Sequence, residues 1–191
     1  MSDELVSKLK KYDIKAFEEF VSLYEKKIYN YAYGFTLNRE DSLDITQEVF
    51  LKVYKNIDKF KEKSSISTWI YRITSNVCID FARKAKPNKV VSITDENLDI
   101  IQNIKDTKIL PEDFLVQTEM SEEIISSLNG LDYDAKQIIV MRDILGLTYS
   151  EIGEILKLEE GTVKSRIARS RKKLRSIILE KRNFLNFTPS K

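Results

Sequence analysis

From Ile14 to Phe35 the apolar side chains return every three or four residues, through Phe17, Phe20, Val21, Tyr24, Ile28, Tyr31 and Ala32. That recurrence follows one face of an α-helix and is incompatible with the two-residue period of a strand. Asp13, just before the run, supplies an N-cap carboxylate. The same spacing predicts a second helix from about Glu40 to Ile57 and a third from about Ser67 to Lys84. Further on, a short helix begins at Ser121 and ends near Gly130. Asp132 opens another through Ile138, Ile139, Met141 and Ile144, which stops at Gly146. Thr148 and Glu151 form a T-x-x-E capping box for the next. A four-residue turn from Lys157 to Glu160 leads into a last helix from Gly161 to about Arg182. With only 5 Gly and 3 Pro in 191 residues and no strand pattern, the chain is expected to be all-α.

Composition removes several chemistries. There is no histidine and one cysteine, Cys78. Ser-His-Asp and Cys-His catalysis are therefore excluded, and so is an intramolecular disulfide. No metal site, cofactor or catalytic residue is expected. The longest uncharged stretch, Ile28 to Asn38, is 11 residues, against roughly 20 for a membrane-spanning helix. The amphipathic start, MSDELVSKLKK, is not a secretory signal, so a cytoplasmic location is expected.

The net charge of +2 hides opposed segments. Residues 1–91 carry +4, 92–123 carry −7, 124–156 carry −3 and 157–191 carry +8. The acidic stretch follows Pro87, contains Pro111 and is weakly periodic, so it reads as a linker with a short helix after Pro111. The expected layout is two small helical domains, an N-terminal helical bundle (1–89) and a C-terminal helix-turn-helix unit (120–183). An acidic linker (90–119) joins them, and 184–191 form a tail.

Three helix faces hold residues that a core does not need. On the last helix, Val163, Ile167, Leu174 and Ile178 share the inner side. Thr162, Ser165, Arg166, Arg169 and Lys172 share the outer one, and Lys164 to Arg175 hold seven basic residues and no acid. A short helix, a tight turn and a second helix exposing hydroxyls and arginines near its start suit the major groove of DNA. The simpler reading is a solvated basic helix; the coincidence of cap, turn and basic face favours DNA.

On the third helix, Arg72, Asn76, Ile79 and Arg83 form a stripe, with Trp69 at its margin. Composition favours Trp69 as a core anchor beside solvated arginines. The other reading is a surface for unstacked single-stranded bases, which need a stacking ring and an edge reader. On the second helix, Leu43, Val49, Phe50, Val53, Tyr54 and Ile57 are assigned to the core. Asp44, Gln47, Glu48, Leu51 and Lys55 face outward as a protein-binding patch or a plain solvent face. A metal or acid–base role for Asp44 and Glu48 lacks a third ligand or a phosphate loop.

The segments DITQEVFLKVYKNIDKF (44–60), STWIYRITSNVCIDFARK (67–84) and YSEIGEILKLEEGTVKSRIARSRKKL (149–174) closely resemble the bacterial sigma-70 family, and the short two-domain layout resembles its extracytoplasmic-function (ECF) group. The resemblance runs from about Asp13 to Leu179. It implies a specificity subunit of RNA polymerase rather than an enzyme. Asp44, Gln47, Glu48 and Leu51 would dock on the coiled coil of the polymerase β′ subunit. Lys61, Glu62, Lys63, Ser64, Ser65, Ile66, Trp69, Arg72, Asn76 and Asp80 would recognise the −10 element and capture a flipped base. Arg83, Lys84 and Lys86 would lie near phosphates. Thr162, Lys164, Ser165, Arg166, Arg169 and Lys172 would read the −35 element.

The implied partners are core RNA polymerase (β and β′), promoter DNA and an anti-sigma factor, which in this family is often membrane-anchored, with no small-molecule substrate. The linker would follow the RNA exit channel. Glu159-Glu160 replace the proline and apolar residue of many relatives before Gly-Thr-Val; they suit a helix N-terminus but sit close to DNA phosphate. Two other readings stand beside this one: a stand-alone helix-turn-helix regulator, and an anti-sigma decoy that kept the fold.

Overall fold

The computed structural model describes residues 3–62, 64–84 and 127–187. The described residues are helical, with no strand. The helices are α1 (Asp3–Lys10), α2 (Ile14–Thr36), α3 (Arg39–Asn56), α4 (Ile66–Lys84), α5 (Tyr133–Ile139), α6 (Tyr149–Leu156) and α7 (Glu160–Phe187). A 3₁₀ turn, Ile57–Lys59, follows α3, and a π-helical turn, Val140–Ile144, continues α5. The linker 90–119 and the helix expected after Pro111 lie outside the described residues.

The caps fall where the side-chain chemistry requires. Asp13 accepts from the Ala16 N–H, Asn38 from Asp41 and Asp132 from Ala135. Each bond satisfies an otherwise orphaned first-turn donor and contributes about 1 kcal/mol. Thr148 and Glu151 complete a reciprocal capping box on α6. Ser65 caps α4 through a 3.0 Å bond from the Thr68 N–H. The last helix runs past Arg182 to Phe187, into the segment expected to be a tail. The amphipathic start of the chain, not predicted as a helix, forms α1, anchored by buried Leu5, Val6 and Leu9.

The N-terminal bundle packs α2 against α3 and α4, with Phe20, Ile28, Ile45, Val49, Val53 and Ile70 fully enclosed. Two sequence assignments differ. Ile14, in phase with the α2 core face, is 72% exposed at the first turn. Tyr54, assigned to the core, is 41% exposed and meets Phe17 and Tyr12 edge-on. Its ring lies at the margin of the α3 stripe, where those two aromatics cover one side of it.

The C-terminal unit does not stand apart. Ile138, Met141, Ile152, Val163 and Ile167 share one apolar cluster with Phe35, Ile70 and Val77 of the bundle. The backbones approach closely at Gly34 on α2, where a Cβ would stand 2.9 Å from Ile144 Cδ1 and 3.1 Å from Val140 Cγ1. The absent side chain lets the π-turn sit directly on α2. Polar groups cross the same seam. Gln137, buried, donates to the Tyr31 hydroxyl at 3.2 Å and to Ser75 Oγ. The Tyr133 hydroxyl donates to the Ala82 carbonyl at 3.0 Å.

Candidate nucleic-acid and polymerase interface

The helix-turn-helix is built from α6 and α7. Lys157 closes α6 in the left-handed region (φ 56°), and the Leu158 N–H donates to the Gly153 carbonyl at 2.9 Å. A Cβ on Gly153 would lie 2.7 Å from the Leu158 carbonyl oxygen, so the turn can fold back on the helix only over a glycine. Val163 and Ile167 are buried beneath α7, as the inner-face assignment expects.

On the outer side of α7, Lys164, Ser165, Arg166, Arg169 and Lys172 are exposed and Thr162 is half-buried. The basic run divides by partner. Arg171 makes a forked pair with Asp143, and Lys173 bonds Asp132 at 2.7 Å. The Lys173 bond and the Ala135 N–H hold the Asp132 carboxyl below its usual range. Lys164 pairs with Glu160 at 2.7 Å and lies over the Tyr149 ring. Glu160, one of the two unusual acids, thus neutralises a basic neighbour at the start of α7. Arg166, Arg169 and Lys172 have no carboxylate partner among the described residues; Arg169 Nε meets only the Ser165 carbonyl, at 3.4 Å. Arg171 and Lys173 hold α7 to the rest of its unit, while these three face solvent.

The α4 face combines structural and free groups. Lys61, Glu62, Ser65, Asn76, Asp80, Arg83 and Lys84 are exposed, and Ser64 is half-buried. Lys63 lies outside the described residues. Ile66 is 6% exposed and anchors the helix start, so it is a core contact here. Trp69, half-buried, packs on Phe60 with ring centroids 5.3 Å apart. One edge is thereby fixed by the core and the other left at the surface. Asp80 and Arg83 pair at 3.9 Å.

Arg72 has a role the sequence did not indicate. Its guanidinium donates to the Glu154 and Ile155 carbonyls in the last turn of α6, and Thr68 donates to the Glu154 carboxylate at 3.1 Å. Arg72, Asn76 and Ile79 of α4 and Arg166 of α7 border one cleft of about 380 Å³. Candidate DNA-reading residues of both units therefore face each other across a shared gap. No local pattern foretells it, because the partners are backbone atoms more than eighty residues away.

On α3, Asp44 is exposed and Gln47, Glu48 and Leu51 are half-buried. Glu48 pairs with Lys52 at 2.8 Å. Partial burial, and then the neighbouring Asp41 and Glu40, push the Asp44 carboxyl above its usual range. The face is an acidic and amide surface around one accessible leucine, on the side of α3 away from the bundle core.

The chain matches the family descriptions "Sigma-70 region 2" over residues 20–87 and "Sigma-70, region 4" over residues 121–174. It is 38% identical over 178 residues to the ECF RNA polymerase sigma factor SigW of Bacillus subtilis, covering 92% of this chain and 95% of that protein. It is 31% identical to the ECF RNA polymerase sigma-E factor of Escherichia coli K12, covering 87% and 88%. Among solved structures, CnrH in complex with the cytosolic domain of CnrY superposes with a TM-score of 0.66 at 21% identity, covering 91% of this chain and 94% of that one. The sigma factor RpoE from Bartonella quintana, in complex with the anti-sigma factor NepR, gives 0.60 at 19% identity, covering 86% and 98%. These two share the fold. Matched along both helical units and over nearly its whole length, the chain belongs to the sigma-70 family of RNA polymerase sigma factors, in its ECF group.

Proposed function

We propose that this protein binds core RNA polymerase and directs it to promoters, reading a duplex −35 element with α7 and capturing an unstacked −10 base with the 61–66 loop and α4. The α3 face of Asp44, Gln47, Glu48 and Leu51 is the docking surface for polymerase. The polymerase carries out the chemistry. The sigma subunit contributes binding energy that offsets the few kcal/mol of base flipping.

What supports this reading is the pairing of two candidate faces on one chain, with Arg166 and Arg169 of α7 lacking carboxylate partners among the described residues and Asn76 exposed on α4. Elements 25 base pairs apart at about 3.4 Å each are separated by roughly 85 Å. Asn76 and Arg166 border a single cleft, so the packed arrangement cannot contact both elements at once. The two units must separate on the polymerase. An anti-sigma factor, as in the RpoE–NepR complex, would act by keeping the reading faces from DNA.

Run-off transcription with purified core polymerase on genomic fragments tests the reading. Specific transcripts that depend on this protein are expected. Failure to bind core and absence of any specific transcript would overturn it.

A further inference from the structure

The short helix α1 ends beside the loop that precedes α4. Tyr12 takes the left-handed conformation (φ 56°) and the Asp13 N–H bonds the Lys8 carbonyl, so the chain reverses directly after Lys10. Leu5, Val6 and Leu9 fix the helix on the core. The Lys10 ammonium lies 5.7 Å above the Phe60 ring and forms an ion pair with Glu62. Phe60 in turn carries the Trp69 ring. Glu62 itself has φ 55°, a left-handed conformation that costs a non-glycine residue free energy which surrounding contacts must offset.

We propose that Lys10 and Glu62 are positioning residues for strand opening: the Lys10–Glu62 pair, clamped over Phe60, holds the start of the base-capture loop in register with Trp69. The inference rests on the reading of the 61–66 loop and α4 as the −10 pocket. An exposed ion pair contributes little to global stability, because water screens it and both side chains lose freedom. Its effect falls on the population of loop conformations, where the same small energy changes occupancy about two- to fivefold. α1 is thus a strut for the loop, and Lys10 acts on opening without itself touching DNA.

The test uses the full chain with core polymerase on a promoter identified by run-off transcription, with permanganate reactivity of −10 thymines as the readout of opening. K10E and E62K are each expected to slow opening about two- to fivefold. Affinity for core, binding to duplex −35 DNA and the thermal midpoint should stay at wild-type values, and the double swap K10E/E62K should restore opening. If Lys10 instead contacted phosphate, E62K alone would speed opening and the double swap would stay slow; that result overturns the proposal. So do single variants that open at the wild-type rate. Asn76→Ala separates the two levels. If it slows opening while K10E does not, the strut fails and the pocket stands; if Asn76→Ala and Trp69→Ala both leave opening intact, the pocket fails and the strut with it.

Discussion

The Arg72 guanidinium donates through Nη2 to the Glu154 carbonyl at 2.6 Å and through Nε to the Ile155 carbonyl at 3.3 Å. Those oxygens belong to the last turn of α6, where the helix leaves acceptors unmatched and its dipole is negative. A residue assigned to −10 recognition thereby serves as a helix cap across the seam between the two units. The same fork cannot cap α6 and meet DNA together, so if Arg72 reads the −10 element as proposed, promoter binding and closure should compete for it.

Arg72→Met should therefore loosen the seam while leaving each unit folded. Hydrogen exchange at the end of α6 and the radius of gyration in solution should both rise. Arg72→Lys, which keeps the charge and loses the planar fork, should give most of the same effect. Unchanged exchange in both variants would remove Arg72 from the seam.

Gly34 gives an independent handle. A methyl at this position would press on the flexible tip of Ile144 and on both methyls of buried Val140, which must each give by a few tenths of an ångström, so Gly34→Ala should loosen the seam only slightly. Gly34→Leu adds a branched side chain where the π-turn sits and should cost the closed packing about 1–3 kcal/mol, the usual penalty for overpacking. The expected readout is a larger particle by small-angle scattering and stronger −35 binding by the free protein. A compact Gly34→Leu variant would show that the seam tolerates the wedge.

The helices from α2 onward are legible where local signals mark them, whereas α1 carries no cap signal of that kind. Asp13, Asp132 and the Thr148–Glu151 box announced their helix starts, and the inner face of α7 was readable from Val163 and Ile167 alone. What was not legible depends on distant partners. Nothing near Arg72 in sequence indicates a bond to Glu154. Tyr54 fits the periodic core stripe yet ends at its margin beside Tyr12. Among the seven basic residues from Lys164 to Arg175, nothing local shows that Asp132 and Asp143 claim Lys173 and Arg171.

Lys136 should make closure pH-dependent. It is 7% exposed, bonds Asn129 Oδ1 at 2.9 Å and lies over the Phe35 ring of α2. Burial lowers its pKa from the ordinary 10.5 to about 8, with no carboxylate partner among the described residues. Cys78 across the seam, held up near 12 by burial, remains a neutral thiol over that range. Below pH 8 the lysine is protonated in both states and the desolvation cost is constant. Between about 8 and 10.5 the open state keeps a proton that the closed state has released, so closure should strengthen as pH rises through that window. Lys136→Met should remove this slope relative to wild type in scattering or hydrogen exchange across pH 7–10.5, and an unchanged slope would assign it to other groups.

The partition of the α7 basic run predicts two different kinds of loss. Arg169, exposed and without a carboxylate partner among the described residues, should act on base identity. Arg169→Ala is expected to cost about 1–3 kcal/mol at one or two −35 positions and relax the preference there, with the thermal midpoint unchanged. Arg171, forked onto Asp143, should act on the unit itself. Arg171→Ala removes a bidentate tie between the π-turn and α7, so the midpoint should fall while the ranking of −35 sequences stays as in the wild type. Binding measured over a panel of single-base −35 variants separates the two. A uniform loss over the whole panel for Arg169→Ala would make it a phosphate contact, and a changed ranking for Arg171→Ala would show that it leaves Asp143 to reach the groove.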